Sequence, residues 1–326
     1  MSTGFSFDRA LTYPFKAPHF GSFPWIFGLA YAGAYVALFL VLGLLGWRSL
    51  AQWFLTMEQL QNDPNPQPAE VFGTMFSVFG TLMPLIVAGT LLGWVLWAMF
   101  EAASQRRYIF GQTFSLGFGG DELRLMGVGA LWGIMSFVIF AIPGILMISA
   151  FGVLMADGLS GPMDDQTAAR FISSFFIGFG LMFLLMFVYI FFATRFSPCF
   201  GLTVKEKKLR FFDAWNVSRG RFWPILGAYV IIVIVASIVS QIVSMVAQLM
   251  IMPLFMALPQ NADAPVEELA SIFLSPGFII PMAVIYFVML FVQGLMQHVA
   301  GAPAALAALH DPRNDPADTL RVDTFS

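Results

Sequence analysis

Charge is scarce in this chain. Only 11% of its 326 residues are Asp, Glu, Lys or Arg, against 59% hydrophobic, whereas a soluble domain carries about 25% charged residues. With a mean hydropathy of +0.80, too few polar side chains remain to cover a water-facing surface of this size. An ordinary soluble globule is excluded, and lipid is the solvent for most of the chain. Cysteine is almost absent. Cys199 stands alone, which excludes an intrachain disulfide and leaves no thiolate pair for a metal. His19, His298 and His310 are far apart, which argues against a centre built from several histidines. There is no phosphate-binding P-loop, no Gly-rich dinucleotide turn in a strand-to-helix setting and no G-x-S-x-G elbow. The pattern predicts no enzyme, no cofactor and no metal. Segments of about ten residues with alternating polarity, the mark of membrane barrel strands, are missing too. The N-terminal stretch "MSTGFSFDRALTYPFKAPHFGSF" lacks the short basic region and apolar core of a cleavable signal, so the first long apolar run is expected to stay as a membrane helix.

What the chain does have is length of apolar sequence. A membrane helix needs about 20 such residues, and six runs qualify: 24–47, 71–100, 124–156, 170–194, 223–256 and 277–308. Several exceed the minimum and are expected to tilt, kink or project. Pro84, Pro143, Pro253 and Pro281 are candidate kinks. The expected fold is all-α: a polytopic bundle of six transmembrane helices arranged as three hairpins, with amphipathic helices on its inner face. An amphipathic segment over 1–23 precedes the membrane domain at 24–309, and a tail follows at 310–326. The stretch 266–274 reads either as an extension of the last span or as an interfacial segment.

The few positive charges are unevenly placed. Arg9, Lys16, Arg106, Arg107, Arg124, Arg195, Lys205, Lys207, Lys208, Arg210, Arg219, Arg221, Arg313 and Arg321 fall on one side of the six spans, and only Arg48 and Arg170 on the other. Connections rich in Lys and Arg stay cytoplasmic. Both termini are therefore expected in the cytoplasm. The opposite connections are acidic, with Glu58, Asp63, Glu70, Asp157, Asp164, Asp165, Asp263, Glu267 and Glu268. Tryptophans fall near both interfaces: Trp25, Trp94, Trp97, Trp215 and Trp223 inside, Trp47 and Trp53 outside.

A short repeat runs through this pattern. "FSLGFG" at 114–119 echoes "FSPCFG" at 196–201, and "FDRA" at 7–10 echoes "FFDAW" at 211–215. The repeating unit would be an amphipathic segment, a span, an acidic loop and a returning span. Residues 209–218, "LRFFDAWNVS", would place Leu209, Phe212 and Trp215 on one face of an interfacial helix, with Gly220 as its stop. Lys205, Lys207, Lys208 and Arg210 beside it are candidate contacts for anionic lipid, each Lys or Arg near the surface gaining roughly 1 kcal/mol. The bland reading is that they only set orientation. Nucleic-acid binding is not implied, because this basic stretch belongs to the orientation pattern. "GFGG" at 117–120, followed by Asp121 and Glu122, reads as a turn with acids at a helix N-terminus.

The segment "FFDAWNVSRGRFWPILGAY" at 211–229 and the closing "GAPAALAALHD" at 301–311 resemble a group of bacterial six-span inner-membrane proteins. The group includes YciC-like proteins and the membrane domains of some glycerophosphodiester phosphodiesterases. The resemblance rests on Ala214, Trp215, Arg219, Gly220 and Trp223 leading into span five. It implies a membrane domain without the phosphodiesterase barrel, and no histidine here is followed by Arg-Gly as that catalytic domain would require.

Ionisable groups inside lipid mark function, and mid-span positions hold none. Glu101 and Arg195 fall at inner span ends, where they are expected to reach water or headgroups. Uncharged polar residues do line span five: Ser237, Ser240, Gln241, Ser244 and Gln248, spaced by three and four and so on one helix face. Gln293, Gln297 and His298 follow in span six. Plain interhelical hydrogen bonding, at about 0.6 kcal/mol each, explains such a stripe; a polar cavity between spans five and six is the sharper reading. Gly89 with Gly93 and Gly129 with Gly133 are spaced for close helix approach. The sequence thus predicts a non-enzymatic structural or adaptor protein with lipid or membrane-protein partners. The alternative is a transporter or lipid-translocating protein that uses the stripe.

Overall fold

A computed structural model describes residues 5–16, 21–62, 68–158, 165–256, 271, 275–311 and 313. Among them there is no strand. The order is α1 (Phe7–Lys16), α2 (Phe23–Asn62), α3 (Pro68–Phe110), α4 (Gly120–Gly158), α5 (Asp165–Phe196), α6 (Cys199–Glu206), α7 (Ala214–Val217), α8 (Phe222–Met256) and α9 (Pro276–Leu309). Six of these helices are long and apolar enough to cross a membrane. Helix is the expected solution, since lipid offers no partner for a free backbone N–H or C=O. His19, Arg321, Asp63, Asp164, Asp263, Glu267 and Glu268 lie outside the described residues, as do the segment 266–274 apart from Ser271 and the side chains of Arg48, Trp53, Glu58, Glu70 and Asp157.

The helices outrun the boundaries read from hydropathy. α2 passes Trp47 and continues to Asn62, 40 residues in all. At 1.5 Å per residue that is about 60 Å, twice the ~30 Å hydrocarbon core. Nothing in "RSLAQWFLTMEQLQN" breaks a helix, and most of its residues are good helix formers. Hydropathy ends where charge begins, but a helix ends only where the backbone must turn. Pro84, Pro143, Pro253 and Pro281 all sit inside continuous helices.

α2 packs along α3, α4 along α5 and α8 along α9. α9 is the common neighbour, also packing extensively along α2 and touching α1, α3, α6 and α7. Most buried side chains lie at one end of the bundle, where the end of α3, the start of α4, residues 194–228 and the end of α9 gather. Farther along the spans, side chains such as Leu44 (79% exposed) and Phe137 (73%) face outward, as lipid-facing residues do.

The segment 199–221 differs from the expected helix over 209–218. The longer helix is α6, which is largely buried, and only Ala214–Val217 is helical within 209–218. Lys207 ends α6 in the left-handed region at φ 53°. The Arg210 amide then donates to Thr203 Oγ1 at 3.1 Å, and the Arg210 guanidinium pairs with Glu206 and Asp213. These contacts fold the chain back on α6 and prevent a continuous helix. The apolar trio keeps its exposure: Leu209, Phe212 and Trp215 face outward while Phe211 is buried between Phe196 and α4. Gly220 has φ 73°, the conformation a chain-reversing glycine supplies.

α6 fits only because position 201 is glycine. A Cβ there would stand 2.8 Å from Ala308 Cβ and 3.1 Å from Ala305 Cα and the Ala304 carbonyl oxygen. By contrast a Cβ on Gly180 meets nothing within 4 Å. Gly201→Val should therefore destabilise by roughly 1–3 kcal/mol, the usual overpacking cost, and Gly180→Ala should not. The buried thiol of Cys199 gives the readout, being the only cysteine. The temperature at which a thiol-reactive dye labels it should fall for Gly201→Val and hold for Gly180→Ala.

Candidate functional site

α5 and α8 barely touch, and between them lies a cavity of about 710 Å³. Its walls are apolar: Met186 and Ile190 on α5, Val230 and Val233 on α8. All four are exposed, so the cavity is a lateral cleft open to the surrounding lipid. Its inner wall is aromatic, formed by Trp97, Trp132, Tyr189 and Phe200. Its floor is polar, with Glu101, Gln297 and the hydroxyls of Thr194, Ser197 and Tyr229.

Glu101 is not at an accessible interface as the sequence suggested. It is 7% exposed, because α9 approaches α3 closely at Gly301. A Cβ at Gly301 would meet Gln105 Nε2 at 3.1 Å, Ser104 Oγ at 3.2 Å and Glu101 Oε1 at 3.8 Å. Gln105 donates to Glu101 Oε1 at 2.8 Å and to the Gly301 carbonyl at 3.2 Å. Gln297 approaches the same carboxyl, yet its buried amide nitrogen has no aligned hydrogen-bond partner. Hydropathy could not find this group, since Glu101 sits among polar residues at a span end; only the small residues of α9 would have pointed to a close approach.

His298, next to Gln297, faces a smaller apolar cavity of about 260 Å³ between α1, α2, α8 and α9. Its Nδ1 shares a 2.8 Å hydrogen bond with Ser104 Oγ, and its ring stacks on Tyr108 at 4.6 Å. Tyr108 donates to the His298 carbonyl at 2.9 Å. Glu101, Ser104, Gln105 and Tyr108 thus give the end of α3 a polar seam against α9.

The stripe on α8 lies elsewhere than expected. α8 meets α1 and α9 through buried positions such as Ile225, Ala228 and Ile232. Ser237, Ser240, Gln241 and Gln248 are exposed and Ser244 is half-buried, with none hydrogen-bonded to α9 among the described residues. The stripe instead continues the cleft. Val230 and Val233, then Ser237, Gln241, Ser244 and Gln248, follow one another at spacings of three and four, a single helix face.

The candidate lipid contacts divide into two kinds. Lys205 Nζ donates to the Ala308 carbonyl at 2.7 Å, a cation on the last turn of α9, and Arg210 is held in its ion pairs. Lys207 and Lys208 are exposed with no partner among the described residues. Of the small-residue pairs, Gly89 meets Leu42, and Gly129 meets Trp94 and Trp97, while Gly93 and Gly133 offer open space. Among the described residues no three His, Cys, Asp or Glu side chains gather to hold a metal ion.

Ser104→Ala should leave the buried His298 ring nitrogen unpaired and cost about 1–3 kcal/mol, read as a lower temperature for Cys199 labelling. No family model matches the chain, and comparison with curated proteins and with solved structures likewise finds no match.

Proposed function

We propose that this multi-pass membrane protein takes an amphiphile from the lipid phase into the α5–α8 cleft and passes its polar head along the stripe of α8. The observation that carries the reading is the shared helix face: the cleft wall and Ser237, Gln241, Ser244 and Gln248 form one continuous line. Polar side chains exposed to hydrocarbon are costly, and a head group or water that follows them removes the cost. In this reading the chain is not an enzyme. It sits in a bacterial inner membrane as three hairpins with both termini cytoplasmic, as its positive charges suggest, and its likeness to the YciC-like group fits a membrane domain without a catalytic barrel.

Cysteines introduced one at a time at Ser240 and Ser244 should react with a water-soluble thiol reagent, and one at Ile242, on another face of α8, should not. The native Cys199 is buried and adds no background. Complete protection at both serine positions would remove the stripe from the pathway.

A second reading, a structural or adaptor protein bound to anionic lipid or to a membrane-protein partner, draws on the exposed Lys207 and Lys208 beside the outward-facing Leu209, Phe212 and Trp215. Lys207→Gln with Lys208→Gln should reduce co-purified anionic lipid several-fold, at roughly 1 kcal/mol per charge. Retention equal to the unaltered protein's would sink that contact. Lys205→Gln would instead disturb the end of α9.

A further inference from the structure

We infer that the cleft selects an amphiphile whose head is cationic, of the ammonium type, with an alkyl or acyl tail; this rests on the amphiphile reading above and names its chemistry. Among the described residues Glu101 is the only carboxyl group lining the cleft, and no Lys, Arg or His shares the lining. Its carboxyl accepts from the neutral amide of Gln105 at 2.8 Å, with the Gln297 amide nearby. No ion pair reaches it among the described residues. The arginines closest in sequence are committed elsewhere: Arg106 to Glu122 at 2.8 Å, Arg107 to the carbonyls of Gly111 and Gln112 at 3.2 and 3.1 Å. A buried carboxylate lacking a counter-charge is costly, and an arriving cation supplies that charge. An anionic head meets donors in Gln297 and the hydroxyls but brings like charge towards the carboxylate, and a neutral head supplies no counter-charge.

The aromatic wall gives a second and independent reason. Trp97 and Phe200 meet edge to face at 6.0 Å, Phe200 stacks on Trp132 at 5.9 Å, and Trp132 meets Tyr189 at 6.2 Å. The Trp132 indole N–H is turned to Cys199 Sγ at 3.4 Å, which fixes the ring. Electron-rich ring faces attract ammonium groups, especially in a site with little water. The tail then has the apolar mouth formed by Met186, Ile190, Val230 and Val233. A volume of about 710 Å³ falls in the range of small-molecule sites.

The test is equilibrium binding to the full chain in nanodiscs of zwitterionic lipid, with empty discs subtracted. Three probes share one chain length: decyltrimethylammonium, decanol and decyl sulfate. The cation should bind saturably and at least tenfold more tightly than the sulfate. Glu101→Gln should weaken the cation about tenfold or more and decanol less than twofold, while Glu101→Asp retains part of the preference. Cys199 labelling checks that each variant is folded. Ala193→Trp, which fills the cleft and keeps Glu101, should weaken the cation and decanol alike. Equal binding of all three probes, or a preference for sulfate, would overturn the cationic assignment and leave the amphiphile cleft standing. No saturable binding of any probe would overturn both.

Discussion

The end of α9 carries side chains no larger than leucine over residues 301–308, all of them buried, and the rest of the charged end is arranged around that fact. Lipid gives helices no hydrophobic reason to associate, so close van der Waals contact has to hold them. Here the contact is with four elements at once. Gly201 of α6 lies against Ala304, Ala305 and Ala308; Tyr108 of α3 packs on Ala302 and Ala305; Ala10 of α1 and Ala228 of α8 meet Leu306. A side chain at Gly201 would have to push the α9 backbone away. The same close approach buries the polar end of α3 and so creates the floor of the cleft.

Positive charge at this end has a local use beyond orientation. Helix C-termini present unpaired carbonyls and favour a nearby cation. Arg107 covers the carbonyls after α3, Lys205 that of Ala308 in α9, Arg195 that of Ser218 after α7, and Arg221 that of His310. Arg195 also lies over the Trp215 ring at 5.1 Å. Arg313 closes the set, bonding Asp311, Glu206 and Asp213 at 2.7, 2.9 and 3.3 Å. Its hydrogen bond with Asp311, and then the charges of Asp311, Glu206 and Asp213, hold its guanidinium pKa above the ordinary value. One charge pattern thus serves two ends: it fixes the helix termini to one another and gives the chain the asymmetry from which orientation is read.

The bundle was legible in the sequence because length and apolarity are sufficient in lipid: a run of 20 or more apolar residues has no other stable form. The stripe on α8 was legible only as a helix face, since its spacing alone puts it on one side; that it is largely exposed and not bonded to α9 among the described residues was not. Two further things were not. The fold of 199–221 depends on tertiary contacts, with Thr203 and Glu206 capturing Arg210, and an amphipathic pattern over 209–218 carries no trace of them. Nor could the sequence show that Glu101 is buried. Its burial comes from Gly301, 200 residues away in the chain, and helix pairing of that kind is not written in local hydropathy.

The cleft follows from how unevenly the helices pair. α4 lies tightly along α5, and α8 along α9, but the two pairs meet mainly through α6 and α7 at the charged end. Beyond that junction nothing draws α5 to α8, because the facing side chains are as content with lipid as with each other. An opening there is the expected outcome of two rigid pairs joined at one end. Its floor is polar because the joint is where α3 and α9 bury Glu101, Gln105 and Ser104, and its mouth is apolar because the spans beyond the joint are built for lipid. An amphiphile has the same order of polarity along its length, and that match arises from the architecture before any individual side chain is chosen for a ligand. Glu101 and the aromatic rings that line the cleft then add what the architecture alone does not supply, a preference for one sign of charge.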